Sequence, residues 1–155
     1  MSAAVKYEDY LKKHGRMTHF FRGTSMMPLL RQQKDHFIVK AKGSERCRKY
    51  DVVLYRRPAD KYVLHRVIGV LENGYVIRGD NCTVKEYGIT DSDIIGVMTG
   101  FLRAGKQHSV DELWYKLYSR VWVAAAPVRI PFMRLRQLAG RIKRFFQRKD
   151  NAGNG

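Results

Sequence analysis

Cysteine and acidic residues are scarce in this 155-residue chain, and it has no long apolar run. Cys47 and Cys82 are its only cysteines and form no CxxC pair, so the sequence predicts neither a disulfide framework nor a zinc site. No stretch approaches the roughly 18 apolar residues of a transmembrane helix, and the N-terminus lacks the apolar core of a secretory signal. We expect a cytoplasmic or peripheral membrane protein with no metal and no cofactor.

The shortage of acidic residues makes the chain strongly basic. It has 30 Lys and Arg against 14 Asp and Glu, a formal net charge of +16 at pH 7. Such a charge indicates an anionic partner, such as phospholipid headgroups, nucleic acid or an acidic peptide. The hydrophobic content of 45% is ordinary for a globular protein, so we expect one folded domain with appendages.

Short segments rich in β-branched and aromatic residues predict a mainly antiparallel β-fold. The triplet Glu72-Asn73-Gly74 between two such segments is a strong hairpin signal. A short polar helix is predicted near the N-terminus, ending at a glycine. The helix is predicted at 7–16, and the strands at 37–39, 51–55, 62–69, 75–78 and 94–102.

The composition changes after about residue 104, where the β-rich segments end. Ser109 and Glu112 have capping-box spacing and predict a helix that begins near residue 113. The chain is therefore expected to divide into an N-terminal helical segment (1–17), a β-rich domain (18–104), a basic helical tail (105–149) and a disordered end (150–155).

The tail combines positive charge with apolar residues at helical spacing. Residues 113–149 contain ten Lys and Arg and no Asp or Glu. Basic residues opposite an apolar stripe are typical of a helix that lies on a membrane surface. The alternative is a solvated helix that packs its stripe on the domain. The residues expected to bind a membrane are Arg134, Leu138, Arg141, Ile142, Lys143, Arg144 and Phe145.

Ser25 lies in a segment that favours a turn. Gly23 and Pro28 flank it, and these residues respectively free and restrict the backbone. A serine held on a turn can be an exposed nucleophile, but its hydroxyl needs a base to remove the proton. The alternative is that Ser25 only opens a tight loop.

His65 is the candidate base. On a β-strand its side chain shares a face with Val63 and Val67, so the imidazole is expected on an apolar face. Burial there lowers the pKa of a histidine, whereas a nearby carboxylate raises it, and the sequence leaves the balance open. The alternative is a structural strand histidine with satisfied hydrogen bonds.

Four short motifs in a fixed order strengthen the case for this pair. They are residues 23–28 (GTSMMP), 50–56 (YDVVLYR), 65–69 (HRVIG) and 78–81 (RGDN). This series resembles the conserved boxes of the type I signal peptidases and the related self-cleaving repressors, with Tyr50 in the place of a glycine. Histidine in the third box is similar to the endoplasmic-reticulum and archaeal branch, where bacterial enzymes of the common kind carry lysine.

The resemblance implies a signal-peptidase-like, coiled antiparallel β-sheet domain and a role for each matching residue. Ser25 would attack the scissile carbonyl and His65 would accept its proton. The residue that orients His65 stays open between Glu86, at the position of the family's aspartate, and Asp80, which could instead be a turn residue. Thr24 and Asn81 would shape the site, with the hydroxyl of Thr24 assisting the backbone amide of Ser25 at the oxyanion.

We therefore expect a serine endopeptidase that cleaves a precursor or a leader- or signal-type peptide, at a membrane surface. The sequence departs from the family in lacking a membrane anchor before the serine box, so a membrane-anchored partner protein or the basic tail would have to supply the location. The alternative is a non-catalytic, repressor-like or adaptor module whose basic tail binds nucleic acid or lipid.

Overall fold

The computed structural model describes residues 6–59 and 61–152, with side chains described as far as residue 144. The chain divides between Val123 and Ala124 into two compact units. The first contains, in chain order, α1 (Tyr7–His14), β1 (Arg16–Phe20), β2 (His36–Ala41), β3 (Val52–Arg57), β4 (Lys61–Leu71), β5 (Gly74–Arg78), β6 (Glu86–Ile89), β7 (Ile94–Arg103), β8 (Lys106–Ser109) and α2 (Leu113–Ala124). The second consists of α3 (Ala126–Ala152).

The strands form one antiparallel sheet in the order β1-β2-β7-β3-β4-β5-β6, with β8 also paired to β7. The prediction of a mainly antiparallel β-fold is thereby confirmed, as is the short N-terminal helix. All five predicted strands are present. The three strands that the sequence did not indicate, β1, β6 and β8, are at most five residues long and carry exposed side chains.

The central strand β3 is buried on both faces, which explains its uninterrupted apolar run. Val52 and Leu54 belong to one core cluster, while Val53 and Tyr55 belong to another on the opposite face. Alternate residues of a strand point to opposite sides, so a strand covered on both sides needs apolar residues at successive positions. The two core clusters hold the strands on which the candidate site is built.

The end of α1 and the start of α2 agree with the sequence predictions. α1 stops at Gly15, whose φ of 70° suits glycine and whose N–H donates to the carbonyl of Leu11 at 2.7 Å. Before α2, the N–H of Ser109 donates to Oε1 of Glu112 at 2.7 Å, which is one half of a capping box. The helix begins at Leu113, where the sequence predicts it, and continues to Ala124.

The division between the two units falls later than the boundary expected after residue 104. Strand β8 pairs with β7, and Tyr115 of α2 joins the first core cluster. The long helix α3 continues through residues 150–152, and residues 153–155 lie outside the described part of the chain. Among the residues described, no helix is long and apolar enough to cross a membrane.

Candidate active site

Ser25 lies in the connection between β1 and β2, at the first of a series of turns. The apolar residues Met26, Leu29 and Leu30 that follow it are buried in the first core cluster, while the serine itself is only half-buried. Gly23 has a φ of 92°, a conformation that favours glycine. Core packing on one side and a glycine turn on the other thus hold the serine at the surface of the sheet.

His65 lies in the middle of β4, opposite Val53 of β3. The residue is 5% exposed, and its Nδ1 lies 2.9 Å from Oε1 of Glu86. A proton on Nδ1 that is donated to this carboxylate leaves Nε2 with a lone pair, the form that a general base requires. The hydroxyl of Tyr55 lies 3.2 Å from the same Nδ1.

Glu86 is the first residue of β6, and two side chains from β3 hold its carboxylate. Tyr55 donates its hydroxyl proton to Oε1 at 2.8 Å, and Arg57 donates from Nε to Oε2 at 2.9 Å and from Nη2 to Oε1. Burial acts to raise the pKa of the Glu86 carboxyl, but the hydrogen bonds and the charge of Arg57 outweigh it and keep the pKa below its usual range. Glu86 is therefore ionised where His65 meets it.

Two opposing influences set the pKa of His65. Burial lowers it, and this is the larger influence; the negative charge of Glu86 and its hydrogen bond raise it. The net effect is a pKa below that of an exposed imidazole. The sequence could not show whether burial or the carboxylate decides the pKa of His65. Burial outweighs the carboxylate, so His65 is a neutral base at pH 7.

Asp80 is engaged elsewhere. Its carboxylate accepts two hydrogen bonds from Arg66, from Nε and from Nη2, each at 2.8 Å, and both side chains are buried. Tyr118 of α2 donates to the same carboxylate at 3.0 Å. Glu86 therefore contacts His65, whereas Asp80 pairs with Arg66.

The turn after β5 packs directly against the serine. The N–H of Asn81 donates to the carbonyl of Ser25 at 2.7 Å, and its side-chain amide donates to the carbonyl of Thr24 at 3.1 Å. A Cβ atom on Gly79 would lie 2.7 Å from the Ser25 carbonyl oxygen and 2.9 Å from Nε2 of His65. Gly79 therefore lies between serine and histidine where no side chain fits, and Asn81 shapes the serine turn.

One cleft of about 450 Å³ contains Ser25, His65 and Glu86. Asp80 is not among the residues that line it. The remaining lining residues are mostly apolar or basic: Phe21, Arg22, Arg57, Tyr62, Val63, Leu64, Cys82 and Val84. Within the described ranges, no group of three or more His, Cys, Asp or Glu is placed to hold a metal ion.

Sequence reasoning missed Tyr55 and Arg57 as site residues. Arg56, the last residue of the YDVVLYR motif, points to the opposite face of β3 and pairs with Glu8 at 3.4 Å. Tyr55 and Arg57 are two positions apart on β3 and therefore share a face. Strand alternation could have shown that they share a face, but not that Glu86 lies there.

The residues expected to bind a membrane lie on α3. Those whose side chains the structure describes are exposed: Arg134, Leu138, Arg141, Ile142, Lys143 and Arg144. Leu138 and Ile142 are 54% and 49% exposed, which is unusual for aliphatic side chains one helical turn apart. The side chain of Phe145 lies outside the described part of the chain.

Comparison of the chain with models of known protein families, with curated proteins and with solved structures found no match.

Proposed function

We propose that this protein is a serine endopeptidase with Ser25 as nucleophile, His65 as general base and Glu86 as the residue that orients His65. The observation that carries the proposal is the 2.9 Å contact between Nδ1 of His65 and Oε1 of Glu86, inside a cleft that also contains Ser25. A nucleophile, a base and a carboxylate that orients the base are the three parts of a Ser–His–acid triad.

The reaction follows from the protonation states of these groups. Ser25 Oγ attacks the scissile carbonyl carbon while its proton passes to Nε2 of His65, and Glu86 stabilises the imidazolium that forms. The proton then goes to the leaving amine, the C–N bond breaks, and an acyl-serine remains. Water, deprotonated by His65, attacks the acyl carbon and releases Ser25. The backbone N–H of Ser25, with the hydroxyl of Thr24, would stabilise the oxyanion.

Within the described residues, the Ser25 hydroxyl forms no hydrogen bond to His65 or to any other group. Catalytic hydrogen bonds are often long or absent before substrate is bound and form only in the Michaelis complex. A Cβ atom on Gly79 would lie 2.7 Å from the carbonyl oxygen of Ser25 and 2.9 Å from Nε2 of His65, so the serine backbone lies close to the imidazole. We propose that the serine turn brings its hydroxyl to Nε2 when substrate binds.

Cys82 is the other nucleophile that lines the cleft, and its chemistry does not favour it. Burial raises the pKa of its thiol, and the negative charge of Glu86 raises it further. A thiol reacts as the thiolate, so a raised pKa makes Cys82 a poor nucleophile at neutral pH. Ser25 therefore remains the proposed nucleophile.

The cleft suits a peptide in extended conformation as substrate, a precursor or a leader- or signal-type peptide. Strand β6, which carries Glu86, is the last strand in the order of the sheet, so an extended segment can pair beside it. Apolar walls formed by Val63, Leu64 and Val84 favour an aliphatic side chain near the scissile bond. Arg22 adds a positive charge at an exposed position of the same cleft.

We further propose that α3 places the peptidase at an anionic membrane surface. The helix combines exposed aliphatic residues with exposed Arg and Lys, as interfacial helices do. Exposed aliphatic and basic residues would also suit binding to a membrane-anchored partner protein. Binding to nucleic acid would need only the positive charge.

The test is cleavage of a peptide pool prepared from a whole proteome, with new termini identified by mass spectrometry. The original protein and a Ser44→Ala control, which changes an exposed serine outside the cleft, should produce the same set of new termini. Ser25→Ala and His65→Ala should produce none of them while retaining a cooperative thermal transition, because the two residues act as one unit.

Termini that persist in the Ser25→Ala digest would remove the serine from the mechanism. If the original protein cleaves neither this pool nor purified leader peptides, the chain is a binding module with an inert serine.

A further inference from the structure

The peptide group between Asp80 and Asn81 is held from both sides. Its N–H, on Asn81, donates to the carbonyl of Ser25 at 2.7 Å. Its carbonyl oxygen, on Asp80, accepts a hydrogen bond from the indole Nε1 of Trp122 at 2.9 Å. The peptide group between Asp80 and Asn81 therefore connects the side chain of Trp122 to the backbone of Ser25.

A second contact from the same helix fixes the side chain of Asp80. Tyr118 donates its hydroxyl proton to Oδ2 of Asp80 at 3.0 Å, and its ring stacks on that of Trp122 with centroids 5.5 Å apart. Because Tyr118 and Trp122 are one turn apart on α2, both meet Asp80 from the same helix face.

Arg66 binds this helix face to the strand that carries His65. Its guanidinium forms the two hydrogen bonds to Asp80, and Nη1 donates to Oγ of Ser119 on α2 at 2.8 Å and to the carbonyl of Tyr50 at 3.0 Å. The side chain is fully buried. A buried charge with this many well-placed acceptors has one low-energy position, so α2, β4 and the turn after β5 form a rigid group.

We propose that Trp122 is a positioning residue for Ser25, an inference that rests on the proposed peptidase function. Hydrogen bonds in series polarise one another, so the bond from Trp122 to the Asp80 carbonyl strengthens the bond that the next N–H donates to Ser25. Loss of the indole donor loosens the Asp80-Asn81 peptide and, with it, the serine turn. The reacting atoms need placement well within 1 Å, so such loosening slows the chemical step.

The test compares Trp122→Phe with Trp114→Phe. Both variants replace an indole of α2 by a smaller aromatic ring, but the indole of Trp114 donates to Glu112 and not to the turn. Amide hydrogen exchange of Asn81, followed by NMR, should become at least about tenfold faster in Trp122→Phe and stay unchanged in Trp114→Phe. In the cleavage assay, kcat of Trp122→Phe should fall about tenfold or more with KM nearly unchanged.

Equal Asn81 exchange rates in the two variants would overturn the proposal, as would an unchanged kcat in a Trp122→Phe protein whose Asn81 exchanges faster. The exchange measurement needs no substrate. If the original protein proves inactive, the peptidase function fails, while the exchange rates still decide whether Trp122 holds the serine turn.

Discussion

His65 and Arg66 are neighbours on β4 that bind different carboxylates on opposite faces of the sheet. His65 meets Glu86 at 2.9 Å, and Arg66 meets Asp80 at 2.8 Å. Strand alternation requires that adjacent side chains diverge, so one acid cannot serve both residues. The two carboxylates that the sequence could not separate therefore have different tasks, and single substitutions should show different effects.

Glu86→Gln should lower kcat by about 10² to 10⁴, because the amide no longer holds the imidazole in the correct tautomer or stabilises its charge. KM and the thermal midpoint should change little. Asp80→Asn should instead lower the free energy of unfolding by about 3–5 kcal/mol, because it leaves the buried Arg66 without its counter-ion. Steady-state kinetics and thermal unfolding of both variants decide this, and the reverse pattern would assign the orienting role to Asp80.

The pH dependence of activity should reflect the lowered pKa of His65. Only neutral His65 accepts the serine proton, so kcat/KM should rise with pH along a limb that lies below the value of about 6.5 for an exposed imidazole. Glu86 raises the pKa of His65, so Glu86→Gln should move this limb to still lower pH. An acid limb centred above pH 6.5 would show that burial does not lower the pKa of His65.

The same shift affects stability. Below about pH 6.5 the unfolded chain binds a proton at His65, while the folded protein does so only at lower pH. The contribution of His65 is therefore complete above pH 6.5 and is lost as the pH falls from there through the folded pKa. Denaturant unfolding of the original protein and of His65→Gln should show a pH-dependent difference in this window, larger at its upper end.

Arg22 should give the cleft a preference for acidic peptides. To test this, a random peptide library is selected for binding to the inactive Ser25→Ala protein, and the content of Asp and Glu is compared between the bound peptides and the starting library. Adding Arg22→Glu should abolish the enrichment. Adding Arg16→Glu, which changes the net charge equally at an exposed strand position outside the cleft lining, should leave it intact. Equal loss in both variants would mean that overall charge, rather than the cleft, selects acidic peptides.

The helix α3 should bind anionic vesicles through charge and apolar contact together. Each basic residue near the surface adds about 1 kcal/mol, and added salt should weaken the attraction. Replacing Leu135, Leu138 and Ile142 by serine should release the protein from sedimenting vesicles, yet hardly change its electrostatic binding to DNA or RNA.

The control for this experiment is Val70→Ser with Leu71→Ser, which removes two exposed aliphatic residues of β4 and should sediment as the original does. Sedimentation of the α3 triple variant at the original level, or no sedimentation of the original, would refute membrane docking by α3.

The parts of the site that the sequence could predict are those with a local signature. Ser25 and His65 could be named as candidates because each lies in a short motif of the ordered series, and the turn residues and the apolar alternation around them lie within a few positions. Glu86 could be named but not chosen over Asp80. The choice depends on how the short strand β6 pairs with β5, and its polar sequence contains no such signal.

The supporting residues could not be predicted because their partners are distant in sequence. Arg57 and Glu86 are separated by 29 positions, and Asp80 and Trp122 by 42. Trp122 belongs to the segment 105–149, which the sequence predicts to be a basic helical tail. Its role depends on the docking of α2 against the turn after β5, which is a tertiary contact that no periodicity encodes.

The burial of β3 on both faces divides the candidate site into a fixed half and an adjustable half. Tyr55 and Arg57 extend from that strand, and His65 from its neighbour, so β3 and β4 carry the base and the two side chains that hold the Glu86 carboxylate. The nucleophile is carried by a turn. Adjustment of the site to a substrate is therefore expected in the backbone around Ser25, within the limits that its hydrogen bond from Asn81 allows, while the imidazole keeps its place.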